Sequence, residues 1–195
     1  MALSTTSINK DDAMSRMMDY GQPLGSIMQV AYVVDDLEKA AQHWVDALGI
    51  GPWIIMPHFP AEDMHYRGTP TDIDLSIALA YSGSMCFELI FQHNEVPSVY
   101  REDGAPTREG RFHHWAIATE RFDDVMAKHK TLGHAVAFDG KVVPVGGLRF
   151  AYIDAMPHLG GMIEVIESGP PVEELFAGVK QVADNWDGKT VVIRP

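Results

Sequence analysis

Apolar and polar positions run through this chain in two rhythms, and the same order of rhythms occurs twice. Residues 27–34 are almost continuously apolar, as in a buried strand. Residues 36–48 then place Leu37, Ala40, Ala41, Trp44 and Leu48 at the three-to-four spacing of a helix with one apolar face. Gly49 stands where helices commonly end. A strand over 52–57 and a polar loop over 61–70 follow. Period-two alternation predicts a strand over 72–81, and a Ser82-Gly83 turn leads into another over 85–92. The second round predicts a strand at 111–118, a helix at 121–132, then strands at 135–138, 147–154 and 161–167. Each round reads β-α-β-β-β, and such internal repetition bears on the whole fold.

The repetition extends to single residues. Each opening strand carries a metal-capable side chain, Gln29 or His114. Each goes on to an acidic turn (Asp35-Asp36, Asp123-Asp124) and a Leu-Gly pair (Leu48-Gly49, Leu132-Gly133). Each closing strand carries one glutamate, Glu88 or Glu164. The expected organisation is an α+β chain: an N-terminal arm (1–24), a first module (25–95), a linker (96–110), a second module (111–168) and a C-terminal helical extension (169–195). The arm is expected to hold a helix near 10–19, packed on a neighbour. The extension offers Val172, Leu175, Phe176, Val179 and Val182 on one face.

Composition narrows the function classes. A net charge of −12 argues against nucleic acid and against an anionic membrane surface. No stretch reaches the roughly 18 apolar residues of a membrane span, and the first 24 residues lack the pattern of a signal peptide. The one cysteine, Cys86, excludes an internal disulfide and a cysteine zinc cluster. It reads as core filler, and the chain is expected in the cytoplasm.

Strand parity carries the chemistry. Gln29 shares its face with Ala31 and Val33, His114 with Ala116 and Ala118, Glu88 with Cys86 and Ile90, and Glu164 with Met162 and Ile166. Four polar groups thus lie in small or apolar runs. An unpaired buried carboxylate costs several kcal/mol, roughly, so two of them ask for a cation. Either glutamate alone could face solvent; four matched positions in a duplicated frame favour one divalent ion, whether Zn, Ni, Co, Mn or Fe(II). His113 points to the other face and is expected to be structural.

Residues 26–168 resemble the vicinal oxygen chelate superfamily of glyoxalase I, methylmalonyl-CoA epimerases, extradiol dioxygenases and bleomycin-resistance proteins. The resemblance rests on the Leu-Gly openings, on His113-His114 after Gly110, and on the two glutamate strands. It implies two paired βαβββ modules forming a cupped mixed sheet around a metal held by Gln29, Glu88, His114 and Glu164, in a homodimer. That ligand set is similar to the zinc-type glyoxalase I. The arginine and asparagine that glutathione-using relatives carry are missing, Asn94 being two positions out of register, so a glutathione substrate is not expected.

The resemblance implies a metal-dependent isomerase, epimerase or lyase that moves a proton next to a metal-bound carbonyl, through an enolate. Glu164 is the expected base, because Gly160-Gly161 leaves it room to move, and Glu88 the more permanent ligand. Trp53, Phe59, Tyr66, Phe91, Asp154 and His158 are the expected substrate contacts, for a mostly apolar small carbonyl compound. Met56 and Trp115 belong to the same aromatic and apolar set, and His65 and His93 are further proton-transfer candidates. The alternatives are a sequestering protein of the bleomycin-resistance type and an Fe(II) ring-cleaving dioxygenase.

Overall fold

The computed structural model describes residues 16–102 and 110–195. The first module holds β1 (Ile27–Val33), α1 (Leu37–Leu48), β2 (Trp53–Met56), β3 (Ala61–Tyr66), β4 (Thr69–Pro70), β5 (Leu75–Ser82) and β6 (Met85–Gln92). The second holds β7 (Arg111–Thr119), α2 (Phe122–Thr131), β8 (Val136–Val142), a 3-10 turn at Val143–Val145, β9 (Leu148–Ile153), the short α3 (Met156–Leu159) and β10 (Met162–Glu167). The extension forms α4 (Pro170–Asp184) and β11 (Val192–Ile193). The α+β architecture of two paired βαβββ modules is the one expected.

Local chemistry sets the helix ends. The Asp36 carboxylate accepts from the backbone N–H groups of Glu38 and Lys39 at 3.0 Å, which caps α1. Gly49 closes the helix with φ of 64°, a conformation that costs glycine least.

Among the described residues, eleven strands join one sheet in the order β11-β2-β5-β6-β1-β7-β10-β9-β8-β3-β4. The two modules meet where β1 and β7 pair antiparallel, and each centre is flanked by a parallel pair, β1 with β6 and β7 with β10. On one face α1 packs through Leu37 and Ala41 onto Trp53, Ala78, Ala80 and Leu89, and Phe122 of α2 packs onto Ala151, Ile153 and Val165. The opposite face is the inside of the cup, lined by Ala31, Ile77, Ile90, Phe138, Phe150, Tyr152 and Met162.

The segment 61–70, expected as a loop, is a β-hairpin, and its first strand pairs antiparallel with β8 of the other module. Four residues link Met56 of β2 to Ala61 of β3, a reach of roughly 17 Å. That short connection draws the two ends of the sheet together and closes the cup. The strand expected at 135–138 extends to Val142 because β3 lies alongside it. Residues 16–19 are not helical; residues 10–15 of the expected helix lie outside the described residues. Met18 and Tyr20 are buried against Val172, Phe176 and Val179 of α4 in the same chain. Likewise Val99 and Tyr100 of the expected linker are buried in the core of the cup.

Candidate metal centre

The four donor candidates lie on β6, β1, β7 and β10, which are consecutive in the sheet. Residues directly opposite in a ladder share a face. One transverse row therefore reads Glu88, Ala31, His114, Met162, and the next reads Cys86, Gln29, Ala116, Glu164. Each row contributes two donors, and the pseudo-twofold between modules exchanges Gln29 with His114 and Glu88 with Glu164. Ala31 and Ala116, both fully buried, stand in the middle. With nothing beyond a methyl group there, the space among the four donors stays open.

His114 Nε2 lies 3.2 Å from Glu164 Oε2 and 3.5 Å from Glu88 Oε2. One donor atom from each of these three residues falls within 4.8 Å of the others. His114 is 0% exposed, Gln29 2%, Glu88 7% and Glu164 9%. Among the described residues, Gln29 Oε1, Glu88 Oε2 and His114 Nε2 have no hydrogen-bond partner. Such burial without partners is costly, and a divalent ion bound by the four side chains would remove that cost. A nitrogen, two carboxylates and an amide oxygen suit a borderline divalent ion. Burial, and then the nearby Glu164 carboxylate, hold the Glu88 carboxyl protonated well above the usual carboxylate range. Burial also pushes the Cys86 thiol well up, which keeps it inert and agrees with a filler role.

His113 does not point to the other face as expected: a bulge in β7 turns its ring to the side of His114, Tyr100 and Tyr152, and a chain of buried groups backs His114. His113 Nε2 lies 3.2 Å from the Val99 carbonyl, and His113 Nδ1 lies 2.8 Å from His114 Nδ1. A carbonyl only accepts, so His113 Nε2 carries the hydrogen and donates it. Burial, and then His114, push His113 well below the usual imidazole range, which keeps it neutral. Its Nδ1 is therefore an acceptor, and His114 Nδ1 is the donor. That arrangement turns His114 Nε2 toward the two glutamates and orients the ring as ligating histidines are oriented elsewhere. The His114 ring also meets the Tyr152 ring edge-on at 4.9 Å, and the Tyr100 hydroxyl donates to Tyr152 at 3.1 Å.

Two cavities of about 70 Å³ each open beside the carboxylates. Both are walled by Phe59, Ile77, Val142, Phe150, Glu88 and Glu164; one adds Gln29, Leu175 and Phe176, the other Tyr100 and Tyr152. Among the described residues, no lysine or arginine lines either cavity.

The structure divides the expected substrate contacts. Phe59 lines both cavities. Tyr66 packs at the margin of the same core. Trp53 and Phe91 lie with α1 on the far side of the sheet, and the Trp53 indole N–H donates to the Ile50 carbonyl at 2.9 Å. Asp154 pairs with Arg67 at 3.1 Å, and His158 stands exposed in α3 beside His134. Of the further candidates, His65 pairs with Asp139, and His93 is exposed beyond β6. Sequence reasoning missed Phe150, Tyr152, Tyr100 and Phe176. Only Tyr152 carried a usable signal, lying directly opposite Glu164 in the β9–β10 ladder. The space at Gly161, expected to free Glu164, is filled instead by other rings. A Cβ there would meet Phe112 at 2.3 Å and Trp115 at 3.1 Å.

Residues 28–152 match the family described as the glyoxalase/bleomycin resistance protein/dioxygenase superfamily. No curated protein matches the sequence. Among solved structures, the fold is similar to methylmalonyl-CoA epimerase from Mycobacterium tuberculosis (TM-score 0.53, 16% identity, 76% of this chain and 91% of that one). It is also similar to a hypothetical protein from Bacillus halodurans C-125 (TM-score 0.51, 18% identity, 74% of this chain and 95% of that one).

Proposed function

Because the chain belongs to the glyoxalase/bleomycin resistance protein/dioxygenase superfamily, we propose that it is a divalent-metal isomerase, epimerase or lyase that moves a proton on the carbon beside a carbonyl. The observation that carries this reading is the donor set: partnerless polar atoms of Gln29, Glu88 and His114 converging with Glu164 in an apolar cup. These four residues would hold the ion. When bound, it supplies Lewis-acid stabilisation of charge that develops on a carbonyl oxygen.

The protein's own groups do the rest. Glu88 and Glu164 flank both cavities, so one can take a proton from a substrate carbon and the other can return it. We assign Glu164 as the base and Glu88 as the more permanent ligand. Once ionised, Glu88 depends most on a cation, because its Oε2 has no hydrogen-bond partner among the described residues. Phe59, Val142, Phe150 and Phe176 exclude water and favour an apolar reacting group. The two cavities are small beside the roughly 300–1,000 Å³ of typical small-molecule sites. Substrate entry therefore requires Phe59, Phe150 or α4 to move aside.

The test is metal analysis of the purified protein, followed by solvent-deuterium exchange into small apolar carbonyl compounds. Metal-dependent exchange that Glu164→Gln abolishes while the metal stays bound supports the reading. Ligand binding without exchange would make the protein a sequestering member of the same superfamily. A homodimer belongs to the proposal, and light scattering at twice the chain mass would support it.

A further inference from the structure

A second cluster of ligating side chains lies at the open end of the first module. Asp74 precedes β5 and His93 follows β6, and the ladder between those strands runs on to join them: the His93 N–H donates to the Asp74 carbonyl at 2.8 Å. His58, in the connection from β2 to β3, folds over the pair. Its Nδ1 lies 2.8 and 3.0 Å from the two Asp74 carboxylate oxygens. Its ring stacks on that of His93 at 4.4 Å with 23° between the planes. One donor atom from each of the three residues lies within 4.8 Å of the others.

Two features go beyond an ordinary surface ion pair. His58 holds φ of 47°, a left-handed backbone that a residue with a Cβ rarely adopts. The hydroxyl of buried Ser76 holds the His58 backbone and the His93 ring: it accepts from the His58 backbone N–H at 3.0 Å and lies 2.6 Å from His93 Nε2. A hydroxyl oxygen has two lone pairs, so it can accept the His93 Nε2–H as well. In that tautomer His93 Nδ1 keeps its lone pair, the state in which a histidine binds a metal while its other nitrogen is held.

We propose that His58, Asp74 and His93 form a second divalent-cation site, independent of the one inside the cup. Two imidazoles and a carboxylate suit zinc, cobalt, nickel or copper, with the remaining positions left to water. Bonds of about 2.1 Å place neighbouring donors about 3.4 Å apart, so the His58–Asp74 contacts at 2.8 and 3.0 Å must open by roughly half an ångström around an ion. The His58 and Asp74 side chains, 66% and 40% exposed, are free to turn by that much. The net charge of −12 favours cation uptake.

Equilibrium dialysis of the full chain against zinc alone tests the site. Two equivalents are expected in the wild type, and one each in His58→Ala, His93→Ala and His114→Ala. Loss of an equivalent in His93→Ala but not in His114→Ala supports this site and removes the inner one. Wild-type stoichiometry in both His58→Ala and His93→Ala overturns the proposal, whatever the inner site does. Cobalt substitution gives a second readout: the visible absorption assigned to this site should vanish in His93→Ala, and its persistence counts against the assignment. His58 and His93 are both exposed, so the fold should survive their replacement, and unchanged far-ultraviolet circular dichroism checks that for all three variants.

Discussion

Replacing His113 by phenylalanine keeps a planar ring of similar size but removes the acceptor that His114 Nδ1 uses at 2.8 Å. With His113 4% exposed and His114 0%, water cannot reach in to replace it. A buried N–H left without an acceptor costs about 1–3 kcal/mol, so the metal-free protein should lose that much in urea unfolding. Losing the partner that orients a metal-binding histidine typically costs about 10–100-fold in metal affinity, or about 1.4–2.8 kcal/mol. Zinc competition against a chromophoric chelator reads the affinity directly. His113→Gln, whose amide oxygen can still accept, should recover part of the loss. Wild-type zinc affinity in His113→Phe would refute the relay from Val99 through His113 to His114.

Three further outcomes follow from the same geometry. Burial holds Glu88 protonated in the folded metal-free protein. Above the free glutamate value of about 4.3 unfolding therefore releases a proton, and stability falls as pH rises, by up to about 1.4 kcal/mol per unit, until the folded group ionises. Glu88→Gln should flatten that slope above about pH 5 in urea titrations of metal-free protein; an unchanged slope would place the titration elsewhere. Ala116→Leu puts a branched side chain where the four donors meet, so it should abolish inner-site metal binding and cost about 1–3 kcal/mol by overpacking, whereas intact binding would show that the space between the alanines is not the metal's. Phe176→Ala should cost about 3–5 kcal/mol and speed metal release to a chelator, and release at the wild-type rate would mean that α4 does not cover the site.

Much of the architecture was legible because its signals are local. The helix face of α1, the Asp36 and Gly49 ends and the period-two strands need no tertiary knowledge. Parity alone put Gln29, Glu88, His114 and Glu164 in apolar runs. The same parity, applied to Phe91, sets it three residues from Glu88 and so on the opposite face, where it packs with α1. The aromatic set was read from residue type, and that is why Trp53 and Phe91 were misplaced. The β3–β4 hairpin was hidden for a different reason. Its pairing with β8 shifts register between Glu62 and His65, where Asp63 has φ of 52°, so no alternation survives in the sequence. The backing of His114 was also out of reach, since Val99 and Tyr100 lie in a segment with the charges and prolines of a linker. Their burial follows from where the chain goes, not from what it is made of.

The strand that β3 lends to β8 bears on how this molecule assembles. Neither module can finish its own edge: without β3, β8 presents unpaired backbone groups to solvent, and β3 without β8 keeps only its short pairing with β4. The two halves should therefore behave as one cooperative unit, the docking of β3 coming late because it joins segments about 75 residues apart in sequence. A half-length fragment ending before β7 would expose the β1 edge as well as a homeless β3, a combination that favours association with other chains over folding alone. Cutting the chain within the turn between β3 and β4, by contrast, leaves every long strand paired. That turn is where a new terminus or an inserted domain should be best tolerated.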